Sequence, residues 1–173
     1  MFDKFFRNRA VSAFLKSGKN CVLPDISKCS TMALLINYAQ FARLDELEKK
    51  LNELFAPDKC IFFVISDGMN YNILVDDKVN FVTKTNFNFF GKLKNEVRSS
   101  FSSETYDLVV NLSDSNTGLI TEEYVMTFLK TSFRISFGES YESLYDLVLD
   151  SKDDDLIVKI ETLHKYLLVL SGK

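Results

Sequence analysis

Residues 106–138 read YDLVVNLSDSNTGLITEEYVMTFLKTSFRISFG: a short apolar run, a polar stretch, a segment of helical period and a second apolar run. The run Leu108, Val109, Val110 lacks the polar alternation of a strand with one wet face, so both of its faces are expected to be covered. The stretch therefore predicts one βαβ unit in a parallel sheet. Residues 32–36 (MALLI) and 60–65 (CIFFVI) carry the same buried-strand signature. Residues 81–83 and 145–149 predict two further strands, the first of them short and nearer an edge.

Helical periods separate these runs. Phe41, Leu44, Leu47, Leu51, Leu54 and Phe55 line one face of a helix that Pro57 stops, with Asp45/Lys49 and Glu46/Lys50 as i,i+4 pairs on the other face. Residues 92–101 predict a short helix. Thr121 is placed as an N-cap, with Ile120 and Val125 as a hydrophobic staple and Glu122 and Glu123 in the first turn. Ser151 followed by Asp153, Asp154 and Asp155 reads as the start of a last helix, whose buried stripe is Leu156, Ile157, Ile160, Leu163, Leu167 and Leu168. Strands separated by helices of this length imply an α/β fold: a three-layer α/β/α sandwich with a mainly parallel sheet and right-handed crossovers. Asp67-Gly68 between apolar runs reads as a turn, and a small antiparallel hairpin at residues 60–75 is the alternative there.

Two regions are expected: a basic amphipathic segment and connector over residues 1–30, and a single α/β domain over 31–173. In the first, Lys4, Arg7, Arg9, Lys16, Lys19 and Lys28 face only Asp3 and Asp25, and Phe2, Phe5, Phe6, Val11, Phe14 and Leu15 interleave at helical intervals. This is the pattern of a first helix packed on the sheet with its cations at the rim. The competing reading is weak contact with a membrane surface or a partner through residues 1–19. Charges interrupt every apolar run, so neither a signal peptide nor a transmembrane segment is predicted.

At 173 residues and 46% hydrophobic, the chain can bury the core of one ordinary domain. A net charge of −3 gives no general attraction to nucleic acid, so no nucleic-acid partner is expected. Cys21, Cys29 and Cys60 are odd in number and form no CxxC pair, which suits a reducing compartment and predicts a cytoplasmic protein.

Ligands of parallel α/β sheets sit outside the carboxyl ends of the strands. That directs attention to Asn37 and Tyr38, residues 66–70, residues 111–118 and residues 136–140. The third offers the densest set of hydrogen-bonding groups: Asn111, Ser113, Asp114, Ser115, Asn116 and Thr117 are the candidate ligand-binding residues, with Phe87, Phe89 or Phe90 as possible walls of the same cleft. Phosphate chemistry finds no support. There is no GxGxxG, Gly91-Lys92 lacks the rest of a Walker loop, and Glu122 and Glu123 already compensate the helix dipole that a phosphate would use. His164, the single histidine, falls on a helix face outside any Ser-His-Asp or Cys-His set. The scattered cysteines and the Asp153–155 run propose no metal site. No catalytic residues, cofactor or metal are therefore expected.

NFNFFGK at residues 86–92, YDLVVNL from Tyr106, FRISFG from Phe133 and YDLVLD from Tyr145 resemble a small uncharacterised bacterial family, a domain of unknown function. The resemblance covers most of the chain from Met32 onward and brings no activity with it. Residues 106–138 also resemble the YDLVIDL…RIGF stretch in the N-terminal half of glycosyltransferase family 9, the heptosyltransferases, with Ser136 where that pattern has glycine. This second resemblance implies a Rossmann-like half-domain. The expected function is a non-enzymatic binding or interaction module. A glycosyltransferase-like enzyme acting on a sugar substrate and a peripheral membrane-surface adaptor are the alternatives.

Overall fold

The computed structural model describes residues 9, 11–17, 21–66, 77–113, 122–137, 142–150 and 154–172. Six strands, β1 (Thr31–Asn37), β2 (Lys59–Ile65), β3 (Val79–Val82), β5 (Leu108–Asn111), β7 (Arg134–Phe137) and β8 (Leu147–Leu149), form one sheet in the order β3-β2-β1-β5-β7-β8. Every neighbouring pair is parallel. Two short strands, β4 (Thr105–Tyr106) and β6 (Lys130–Thr131), pair in parallel immediately before β5 and β7.

β1 lies at the centre because it can be covered on both faces. Met32, Ala33, Leu34, Leu35 and Ile36 are all fully buried, and Leu34 stands in register with Phe62 on one side and Val110 on the other. Met32, Leu34 and Ile36 point into one core layer, which also holds Leu47 and Leu51 of α3 (Leu44–Leu54) and Leu156, Ile160, Leu163 and Leu167 of α6 (Leu156–Leu170). Ala33 and Leu35 point into the other. That layer is closed by Phe101 of α4 (Asn95–Phe101), by Tyr124, Val125 and Met126 of α5 (Glu122–Met126), and by Phe14 of α1 (residues 11–16). Each large apolar side chain so buried contributes about 1.5–3 kcal/mol relative to exposure, which makes these layers the main stabilising term. The fold is the three-layer α/β/α sandwich read from the sequence, and residues 34–36, 62–65 and 108–110 are adjacent, parallel and buried as expected. β2 and β3 also pair in parallel; the Asp67-Gly68 turn lies outside the described residues.

Several boundaries move, each for a local reason. The helix expected from Phe41 to Phe55 divides into α2 (Tyr38–Phe41) and α3, because a reciprocal pair of hydrogen bonds between Asn37 and Gln40 starts α2 directly at the end of β1. At the far end Ala56 adopts φ 46°, the left-handed conformation common after a helix, and Pro57 follows. The expected Asp45/Lys49 and Glu46/Lys50 pairs give way to others. Arg43 pairs with Glu46 at 2.9 Å, and Lys50 reaches Glu161 on α6 at 2.7 Å, since α6 packs against α3 and offers a better-placed carboxylate. The short helix expected at residues 92–101 begins only at Asn95, after a tight turn. The last helix is capped by Asp155, whose carboxylate accepts from the Ile157 and Val158 N–H groups, and begins later than a start at Ser151 would place it.

The strand order reverses at β1: β2 and β3 extend the sheet in one direction, and β5, β7 and β8 extend it in the other. This is the Rossmann-like doubly wound arrangement, in which the crevice between the carboxyl ends of the first strand and its returning neighbour is the expected ligand position. Here those ends are Asn37 and Asn111.

Candidate functional site

Gln40 occupies the crevice between β1 and β5. Its Oε1 accepts from the Asn37 N–H at 2.9 Å and its Nε2 donates to the Leu112 carbonyl at 3.0 Å, while its own N–H donates to Asn37 Oδ1. The side chain is buried and lies in neither core layer. A glycine-rich phosphate loop works by leaving backbone N–H groups open towards the ligand. The Asn37-Tyr38-Ala39-Gln40 turn has no glycine, and two of its N–H groups are bonded to its own side chains.

Beside it, under α5, the carboxyl ends of β5 and β7 present a buried polar cluster. Asn111 Nδ2 donates to Tyr145 Oη at 3.1 Å, and Asn111 Oδ1 accepts from the Ser113 N–H. Ser113 Oγ donates to Glu122 Oε1 at 2.7 Å. Burial pushes the Tyr145 phenol above its ordinary range, with the nearby Glu123 carboxylate adding to the effect. Glu123 is itself raised, chiefly by burial and in lesser part by Glu122, and its own backbone N–H opposes the shift. Ser136 is fully buried, and its Oγ makes no hydrogen bond of good geometry although it adjoins the Tyr145 phenol. Perturbed titrating groups gathered at this edge are the usual mark of a functional site and also the usual mark of a buried structural network.

A second region of interest lies on the face covered by α1, α4 and α5. A groove of about 680 Å³ is lined by Arg9, Lys92, Asn95 and Arg98 over a floor that includes Phe14, Leu93, Tyr124 and Phe128. The Arg98 guanidinium sits 5.4 Å from the centre of the Phe128 ring, and that of buried Arg134 sits 4.6 Å from the centre of Phe14. Arg134 also donates from Nη2 to the Leu129 carbonyl, and burial lowers its pKa. Val11 is buried and Phe14 packs on the second core layer, so this part of the N-terminal segment is a helix seated on the domain. Phe2, Phe5 and Phe6 lie outside the described residues.

Of the residues expected to bind a ligand, Asn111 and Ser113 are brought together by the buried cluster. Asp114, Ser115, Asn116 and Thr117 lie outside the described residues, as does the Thr121 cap. Glu122 and Glu123 stand in the first turn of α5 as expected, and they are 2% and 7% exposed. Of the three phenylalanines, Phe87 packs against Tyr124, whereas Phe89 is 95% exposed and Phe90 is 54% exposed; most of the loop whose cleft they were expected to wall lies outside the described residues. Gln40 and Tyr145 were not singled out from the sequence. Gln40 was legible as the far half of an Asn-x-x-Gln capping box, but Tyr145 finds Asn111 only through the fold.

Cys29 and Cys60 are pushed up to about 12, in both cases mainly by burial. Among the described residues no group of His, Cys, Asp and Glu side chains is arranged to hold a metal ion, and no helix is long and apolar enough to cross a membrane. His164 packs its ring edge-on to Phe55 at 5.1 Å.

In comparison with known proteins, the model of a family of unknown function (DUF6913) matches residues 4–170. No curated protein and no solved structure matches the chain. The local likeness to glycosyltransferase family 9 finds no counterpart in these comparisons.

Proposed function

The chain belongs to this family of unknown function, and on that footing we propose that it is a non-enzymatic binding module built on a Rossmann-like sheet. The observation that supports this most directly is the closure of the strand-order crevice by Gln40. Where a doubly wound fold would seat a nucleotide or a reacting group, the polar groups are held by one another: Gln40 with Asn37 and Leu112, Asn111 with Tyr145, and Ser113 with Glu122. Recognition then falls to the groove over α1, α4 and α5, which is open and carries Arg9, Lys92 and Arg98.

The test is a panel of nucleoside diphosphate sugars incubated with the full chain, with release of nucleotide and thermal shift both measured. The module reading expects intact donors and an unchanged melting temperature. Release beyond stoichiometric amounts overturns it in favour of a glycosyltransferase-like enzyme.

A second reading places a small ligand at the carboxyl edge of β5. It is favoured by Ser136 Oγ, a fully buried hydroxyl beside the Tyr145 phenol that makes no hydrogen bond of good geometry. Such a ligand would meet Asn111 and Ser113 and the loop residues Asp114, Ser115, Asn116 and Thr117. Asp114→Ala would then weaken binding and leave stability unchanged.

A further inference from the structure

Residues 87–93 form a miniature hairpin with an aromatic tip. Phe87 and Leu93 make an antiparallel bridge, the Gly91 N–H donates to the Asn88 carbonyl at 2.9 Å, and the Asn88 N–H donates to the Lys92 carbonyl at 2.9 Å. Asn88 Oδ1 accepts from both the Phe90 and Lys92 N–H groups at 3.0 Å, and Gly91 takes φ 71°. This is a three-residue loop in which a turn is followed by a glycine in the left-handed region. Asn at the first turn position and Gly at the last serve that geometry.

Phe89 and Phe90 do not. The two central positions of such a turn accept most residues, yet both are phenylalanine and both rings stand out from the surface, edge to face at 5.7 Å. The base of the hairpin is fastened to α5: the Leu93 N–H donates to Tyr124 Oη at 3.3 Å, and Phe87 packs on the same ring. The tip is therefore held in place before it meets anything, which removes most of the ordering cost of docking.

Its surroundings are cationic although the chain as a whole carries −3. Lys84, Lys92 and Lys94 are exposed at the base of the hairpin, and Arg9 and Arg98 flank the adjoining groove. Glu96 is the one carboxylate between Thr83 and Arg98.

We propose that this hairpin docks the protein on an anionic phospholipid surface, with Phe89 and Phe90 entering the headgroup region while Lys84, Lys92, Lys94 and Arg9 meet the lipid charge. It names a partner for the binding module proposed above and rests on that reading. A convex tip with a basic collar suits a soft, flat, negatively charged surface, where apolar insertion and charge attraction add. Two rings and a few cations give reversible contact, well short of a membrane anchor.

The test uses the full chain and vesicles of phosphatidylcholine alone or mixed with phosphatidylserine. Because the chain has no Trp, F89W places a single fluorescent reporter at the tip. Its emission is expected to shift to the blue with the mixed vesicles and to stay unchanged with phosphatidylcholine alone. F89S/F90S is expected to lower vesicle partitioning by about tenfold or more, given the apolar area lost, with the thermal melt of the wild type retained. K92E/K94E is expected to abolish the response to phosphatidylserine. An unshifted F89W emission, or equal partitioning of F89S/F90S and wild type, overturns the proposal, and so does a hairpin that captures a protein partner without binding vesicles. Nucleotide release from the sugar panel would overturn the module reading separately, so the two failures are distinguishable.

Discussion

Gln40 Nε2 donates to the Leu112 carbonyl at 3.0 Å, joining the end of β1 to the end of β5 across the crevice where the strand order reverses. The contact is buried, and the same amide accepts from the Asn37 N–H. Gln40→Ala leaves a buried carbonyl and a backbone N–H without these partners, and each unsatisfied group costs about 1–3 kcal/mol. Urea denaturation should show a lower midpoint with an unchanged slope. A midpoint equal to that of the wild type would mean that water fills the crevice and that the site is more accessible than its closure implies.

A second stability prediction concerns the other end of β1. Asp107 Oδ2 accepts from the Ser30 and Thr31 N–H groups at 2.9 Å each and from Thr31 Oγ1 at 3.0 Å, tying the start of β1 to the residue that precedes β5. Asp107→Ala should cost about 1.5–3 kcal/mol, the range for hydrogen bonds to a charged group. Asp107→Asn should cost less, because the amide oxygen can still accept. Equal losses for the two variants in chemical denaturation would contradict the role assigned to the carboxylate.

Glu123 predicts a pH dependence. Its folded-state pKa is raised by burial, so over the interval from the ordinary carboxylate range up to that raised value the folded state holds a proton that the unfolded state has released. Stability from this group is therefore complete below the ordinary range and declines as pH rises. Glu123→Gln should accordingly raise the melting temperature at neutral pH, and the gain should vanish in acid, where both states of the wild type are protonated. A gain that persists unchanged at low pH would point to a cause other than titration.

The three cysteines differ in reactivity. Cys21 is exposed, whereas Cys29 and Cys60 are pushed up to about 12 by burial, and the thiolate is the reactive form. Mild iodoacetamide treatment near pH 8 should label Cys21 in the folded protein and all three residues in urea. Intact-mass and peptide analysis would detect labelling of Cys29 or Cys60 in the native state, an outcome incompatible with the packing described.

The contrast between β1 and the Asn111–Tyr145 contact separates what is local from what is not. Runs such as MALLI and CIFFVI determined buried, parallel strands by themselves, because an uninterrupted apolar strand is stable only with both faces covered, and the intervening helical periods supplied the covers. Strand neighbours followed from the same logic. Asn88 and Gly91 are turn residues in any context, but only the bridge between Phe87 and Leu93 makes a hairpin of them.

Only the tertiary structure decided which polar groups meet. Glu122 and Glu123 take the first-turn positions read from the sequence, but their burial is decided by the packing of α5 near the carboxyl end of β5, where Ser113 bonds Glu122. Lys50 had a partner one helical turn away on its own helix and took Glu161 on α6. Tyr145 meets Asn111 across thirty-four residues of sequence. Helix and strand periods are fixed by backbone geometry within a few residues, whereas the position of one element against another depends on the whole core. The bond from Gln40 across the crevice to Leu112 and the exposure of Phe89 and Phe90 belong to that second kind of information.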